Sequence, residues 1–233
     1  MRKEIYIILS TLGLVISLTN LEFSLTEYAG YLIVLLTALA VILFHKRTGG
    51  EYFRKIVHIL CCLSLHMFYI SFGFSLSLLF LSTLVLLGSL AVEHIEELSE
   101  VIKSTVDKFS RKNERPGYCA LNLATGSLLT LLLQYLTGFE YATLSIIISG
   151  VGDSIASLVG FYFGKHRLLN KSIEGAFTLF VVVSVMTYTL VGYFSLIVAF
   201  IFSIGELCSP IDDNITLPPL LYLLLYFSDL AIR

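Results

Sequence analysis

The sequence predicts an all-α, polytopic transmembrane helical bundle of about nine spans, with eight as the alternative and the N-terminus in the cytoplasm. Three observations carry that prediction. First, 57% of the 233 residues are hydrophobic, only 14% are charged, and the mean hydropathy is +0.89. A soluble domain of this size has too little interior to hide so much apolar surface. The same numbers exclude a disordered chain. Second, the chain carries long runs without Asp, Glu, Lys or Arg. Third, its basic residues cluster on alternate loops. A net charge of −2 leaves no basic footprint for nucleic acid.

About 20 apolar residues cross a bilayer as a helix. The runs are Ile5 to Leu21, then Tyr28 to Phe44, then Val57 to Val92. The first follows Met-Arg-Lys as a signal peptide would. It lacks a small-residue cleavage site and is read as a transmembrane helix. The third is long enough for two spans, with the break expected at Phe72-Gly73-Phe74. A charged stretch, Glu93 to Arg115, separates these from Tyr118 to Leu136 and Tyr141 to Phe163. Ala176 to Leu207 holds two more, broken near Gly192-Tyr193, and Ile215 to Tyr226 is the last. The sequence reads as one integral membrane domain, 1–233. It has no low-complexity segment and no convincing inverted repeat.

Nine spans place fourteen of the fifteen basic residues on one side: Arg2 and Lys3; Lys46, Arg47, Arg54 and Lys55; Lys103, Lys108, Arg111, Lys112 and Arg115; Lys165, Arg167 and Lys171. Glu22, Glu27 and Glu140 mark the other side. This is the positive-inside pattern, and it faces the polar clusters to the cytoplasm. Cys61, Cys62, Cys119 and Cys208 show no metal spacing and read as small buried hydrophobes.

Asp153 lies inside the run 141–163, where a carboxylate is costly and marks a functional site by default. The alternative is a shorter span with Asp153 capping a helix near the interface. Gly152, Ala156, Gly160 and Gly164 recur every four residues and form a smooth stripe that admits another backbone. Lys165, Arg167 and Lys171 follow, then Ser172-x-Glu174-Gly175 entering an apolar helix. Cations with N–H groups at a helix start suit polyphosphate. An ordinary reading is a basic loop with Ser172 as N-cap and Glu174 at the positive helix end. Upstream, Glu51, Arg54, Lys55 and His58 share one helix face. A Glu51–Lys55 pair is the simple account of that face, and His58 at the membrane edge is harder to dismiss. His66, deeper, has Asp153 or a local carbonyl as its expected partner. Glu206, Asp212 and Asp213 have no Lys or Arg near them in the sequence, so a bound Mg²⁺ or solvent must offset them.

Together these clusters resemble the dolichol kinase and phytol kinase family of CTP-dependent lipid kinases, distant relatives of the CDP-diacylglycerol synthases. The resemblance rests on Glu51-x-x-Arg54-Lys55-x-x-His58 and on Arg111-Lys112-Asn113-Glu114-x-x-Gly117. It rests most specifically on Gly152-Asp153 through Gly164-Lys165 to Lys171-Ser172-x-Glu174-Gly175, and it closes with Glu206 and Asp213-Asn214-x-x-Leu217-Pro218. It covers residues 51–233, the kinase-like core; the two spans within 1–50 carry no motif. It implies transfer of the γ-phosphoryl group of CTP to the hydroxyl of a polyprenol, geranylgeraniol or phytol, with Mg²⁺. By resemblance, Asp153 is a metal ligand or base, with Arg54 and His58 facing the same pocket. Lys165, Lys171 and Ser172 hold CTP, flanked by Gly152 and Gly164, and Glu174 contacts the nucleotide or orients Lys171. Glu206 and Asp213 hold metal. The apolar chain would enter by a groove beside the Gly stripe, from a prokaryotic cell membrane. A homo-oligomer is compatible with the sequence. Rival readings are a diacylglycerol kinase, a cytidylyltransferase, and an ion-coupled transporter using Asp153. The synthases' K-R…K-D run is missing between Glu206 and Asp213, which argues against the second.

Overall fold

The computed structural model describes residues 3–19, 51–94, 97, 115–168 and 171–233. The expected span 28–44, the segment 111–114, and the charges at 2, 22, 27, 46, 47, 103 and 108 lie outside them. The described residues form seven helices and one small hairpin. These are α1 (Lys3–Thr19), α2 (Glu51–Glu93), α3 (Tyr118–Thr137), α4 (Ala142–Phe163), β1 (Arg167–Leu168), β2 (Lys171–Ser172), α5 (Ile173–Val191), α6 (Phe194–Cys208) and α7 (Asp213–Ile232). The chain is an all-α membrane bundle.

Five helices, α2, α3, α4, α5 and α7, are long and apolar enough to cross a membrane. The nine expected spans are not reached on that measure. With 17 and 15 residues, α1 and α6 are too short for it, and α2 counts once although it is bent.

The bend in α2 falls at Gly73, where the sequence placed a break. Its φ of 76° and ψ of −177° suit only glycine. A straight helix would hold Phe68 and Phe80 about 18 Å apart, yet their rings stack with centroids 5.0 Å apart. The two arms therefore fold back on each other. Gly192, at φ 56°, closes α5, and α6 begins two residues later.

Two apolar cores hold the bundle. One joins α1, α2 and α3 through Tyr6, Leu78, Val85, Leu128 and Leu131. The other joins α5, α6 and α7 through Leu179, Val183, Phe202, Leu221 and Leu225. In α1 the buried face is Tyr6, Ser10, Gly13 and Ser17, spaced four, three and four residues apart, and Gly13 lies against Ser82 and Leu128. A narrow, small-residue face lets α1 lie close to α2.

Pro218 and Pro219 sit inside α7. Pro218 cannot donate to the carbonyl of Asn214. That carbonyl lies against Gly126 of α3, so closely that any Cβ there would collide with it. The start of α7 is thereby fixed against α3.

The cysteines are free thiols, as the sequence indicated. Only Cys62 is fully buried; Cys61 and Cys208 are exposed, a correction to the expectation that all four are interior. Cys61 lies within the apolar run of α2, and Cys208 is the last residue of α6.

Candidate active site

The starts of α2, α5 and α7 and the ends of α4 and α6 converge at one end of the bundle. That convergence follows from antiparallel connections, and it gathers the charged residues of distant segments. Two glycines set how closely the helices meet there. On α2, Lys55, His58 and Cys62 share a face. A Cβ on Gly150 of α4 would meet Cys62 Sγ at 2.5 Å and Cys62 Cβ at 3.4 Å. This approach brings Lys55 onto Asp153, one turn further along α4. On α5, a Cβ on Gly175 would meet the Ala156 carbonyl and Ser172 Oγ, each at 2.9 Å. The small-residue stripe therefore receives the start of α5.

Asp153 lies in the middle of α4, 8% exposed. This excludes the cap reading. Lys55 Nζ donates to Asp153 Oδ2 at 2.6 Å, and Lys55 is 3% exposed. The pair spans 98 residues of sequence. Lys55 thus reaches across to α4, and His66 turns elsewhere: its Nδ1 lies 3.0 Å from Thr143 Oγ1. The side chain of Glu51 lies outside the described residues.

Glu206 and Asp213, which have no basic neighbours in the sequence, meet a cation in space. Lys171 Nζ lies 2.7 Å from Glu206 Oε1 and 2.7 Å from Asp213 Oδ1, and donates to the Glu206 carbonyl at 2.6 Å. Burial alone would lower the Lys171 pKa. The carboxylates of Asp213 and Glu206 outweigh it, and the net displacement is upward from the ordinary value. Asp212 is the N-cap of α7, accepting from Asn214 N at 2.9 Å. Asn214 turns its side chain to Cys119 of α3.

One carboxylate oxygen from each of Asp153, Glu206 and Asp213 lies within 4.8 Å of the other two. These three face a cavity of about 430 Å³. Arg54, Arg167, Lys171 and Ser172 bring positive charge and a hydroxyl to its wall, and Gly160 and the exposed Phe161 also line it. The donor set is all hard oxygen, which fits Mg²⁺. The Lys171 ammonium already stands between two of the three donors as a cation would.

Other expected site residues take different places. Ser172 lines the cavity and also caps α5, accepting from Gly175 N at 3.0 Å. Glu174 accepts from the backbone N–H of His166 at 3.2 Å and lies 2.9 Å from its ring Nδ1. It does not orient Lys171. Lys165 is exposed on the loop and is not among the cavity-lining residues. Gly152 packs against Leu179 and Val183, and Gly164 against Ser172. Both serve the α4–α5 contact, while Ala156 and Gly160 of the same stripe line the cavity. His58 borders a much smaller crevice behind Asp153, with Ser149 and Asn214.

The sequence grouped Arg167 with the loop cations and Lys55 with a helical face but gave neither a role of its own. The helical face Glu51-Arg54-Lys55-His58 carried the signal for Lys55, and its partner in space, Asp153, lies on another helix. Arg167 stood in the basic loop, and nothing in the spacing ranked it above Lys165.

No family model matches the chain, and no solved structure matches it. The chain is similar to an uncharacterized protein of Methanocaldococcus jannaschii, 30% identical over 122 residues. The aligned region covers 50% of this chain and 62% of that relative. The match therefore spans less than two thirds of the relative's length.

Proposed function

We propose that the chain is a CTP-dependent lipid kinase of a prokaryotic cell membrane, acting on the hydroxyl of a polyprenol-type alcohol at the cytoplasmic face. The observation that carries this reading is one cavity holding both signs of charge. Three carboxylates from α4, α6 and α7 converge on one side, and Arg54, Arg167 and Lys171 stand around them. Phosphoryl transfer asks for little else: positioned phosphates, neutralised charge and an in-line acceptor. The motif resemblance supplies the nucleotide and the acceptor class. The one-sided basic residues supply the orientation.

In this reading Asp153, Glu206 and Asp213 hold Mg²⁺, which when bound neutralises charge on the transferring phosphoryl group. Arg54 and Arg167 hold phosphate oxygens. Ser172 Oγ offers a donor beside the start of α5, whose N-terminal dipole favours anions. Lys55 fixes the orientation of Asp153. Phe161 lines the cavity and is 66% exposed, so the acceptor's apolar chain remains in lipid while its hydroxyl reaches the carboxylates.

The test is direct. Purified chain in detergent is incubated with Mg²⁺ and γ-³²P-CTP, and with a polyprenol, phytol or diacylglycerol in parallel. Label entering the isoprenoid alcohol, and lost in Asp153→Asn, supports the reading. Label entering diacylglycerol alone moves the acceptor class. Pyrophosphate release with a lipid phosphate marks cytidylyl transfer and refutes kinase chemistry. No turnover with any acceptor refutes the enzyme reading.

A further inference from the structure

We infer that Lys171 is a resident cation of the acidic site, and that it leaves Glu206 and Asp213 when a divalent cation enters with the nucleotide. The inference rests on the metal and nucleotide reading above and goes beyond it by naming an exchange.

An ammonium has three donors. Lys171 meets three oxygens, two carboxylate and one carbonyl, all at 2.6 to 2.7 Å. No donor remains for a phosphate. The nucleotide-binding role suggested by the resemblance and the position seen here are therefore mutually exclusive, and Lys171 serves them in turn. The geometry permits movement. Lys171 sits on the two-residue strand β2 at the cavity wall, with its side chain 25% exposed. Lys55 differs: it is 3% exposed and rises from the body of α2.

The charges explain why a resident cation is needed. Three carboxylate oxygens within 4.8 Å of one another repel unless positive charge lies among them. Lys55 answers Asp153, and Lys171 answers the other two. Before metal arrives the site is thus held together by the protein's own ammonium groups. A divalent cation alone must compete with Lys171. Nucleotide phosphates give Lys171 a second anionic partner, so metal and nucleotide favour each other's binding by the same factor.

The experiment measures Mn²⁺ binding by electron paramagnetic resonance on the purified full chain, with no nucleotide and no acceptor. Wild type, Lys171→Gln, Lys171→Met and Lys171→Arg are compared, each checked for folding by circular dichroism. The two neutral variants are expected to bind Mn²⁺ at least tenfold tighter than wild type. Lys171→Arg, which keeps the charge, is expected within threefold of wild type. Adding Glu206→Gln to Lys171→Gln is expected to remove the gain. Two neutral variants keep the test valid if one fails to fold. Mn²⁺ bound equally by wild type and the neutral variants overturns the exchange but leaves the metal site standing. Mn²⁺ bound by none of them overturns both readings.

Discussion

Lys55→Met removes a charge that tertiary structure, and not local sequence, provides. Lys55 and Asp153 are 3% and 8% exposed, and their charged atoms are 2.6 Å apart. At an effective dielectric of about 20 the attraction is about 6 kcal/mol. Taking each ion out of water costs several kcal/mol, so the pair's net contribution is much smaller. Removing one partner is another matter. The desolvation of Asp153 is then no longer offset, and the expected loss is about 3–5 kcal/mol. Replacing both, as Lys55→Met with Asp153→Leu, removes the penalty and returns most of the stability. The assay is a double-mutant cycle, with unfolding followed by circular dichroism in mixed micelles. The expected coupling energy is about 3 kcal/mol. Losses that add within about 0.5 kcal/mol would refute a buried ion pair between α2 and α4. The double variant is also expected to be stable and inactive, which separates folding from chemistry.

Three further outcomes follow from the packing. Gly73→Ala meets no atom within 4 Å of the new Cβ, so its cost is purely backbone strain at φ 76°. A loss of about 1–3 kcal/mol in the same unfolding assay is expected, with metal binding unchanged. Gly175→Ala places a Cβ 2.9 Å from the Ala156 carbonyl and pushes α5 from α4. It is expected to lose about 1–3 kcal/mol, and CTP turnover should fall with it, measured as labelled lipid per minute. Arg167 lines the cavity and Lys165 does not. Arg167→Gln is therefore expected to raise KM for CTP about tenfold, one lost charge-assisted contact, and by more than Lys165→Gln does. Equal effects would move the phosphate site out to the exposed loop.

Much of the architecture was legible because the bilayer constrains it. A lipid-facing helix must be apolar over most of its length, so runs such as 118–136 and 141–163 announce α3 and α4 almost to the residue. The breaks at Gly73 and Gly192 were legible for a similar reason. In apolar runs with few charges, a glycine beside aromatic residues, as in Phe72-Gly73-Phe74 and Gly192-Tyr193-Phe194, is the remaining sign that the chain must turn. The span count was less legible, because apolar length alone does not separate a full crossing from the shorter α1 and α6.

The site divides along the same line. The sequence picked out Asp153 as a carboxylate inside an apolar run, and Glu206, Asp212 and Asp213 as an acidic cluster with no Lys or Arg nearby. The Gly152-to-Gly164 stripe was legible as a close-packing surface, and α5 is what packs there. The pairings were not legible. Lys171 meets Glu206 and Asp213 across 35 and 42 residues, and Lys55 meets Asp153 across 98. Such partners are chosen by which helix ends the antiparallel bundle brings to one side, and by the glycines that set how closely they approach. The sequence by itself determined that charges were buried, because burying an ion in an apolar run costs the same wherever its partner lies. Only the tertiary structure decided which charge answers which, because a Coulomb interaction depends on distance in space and not on distance along the chain.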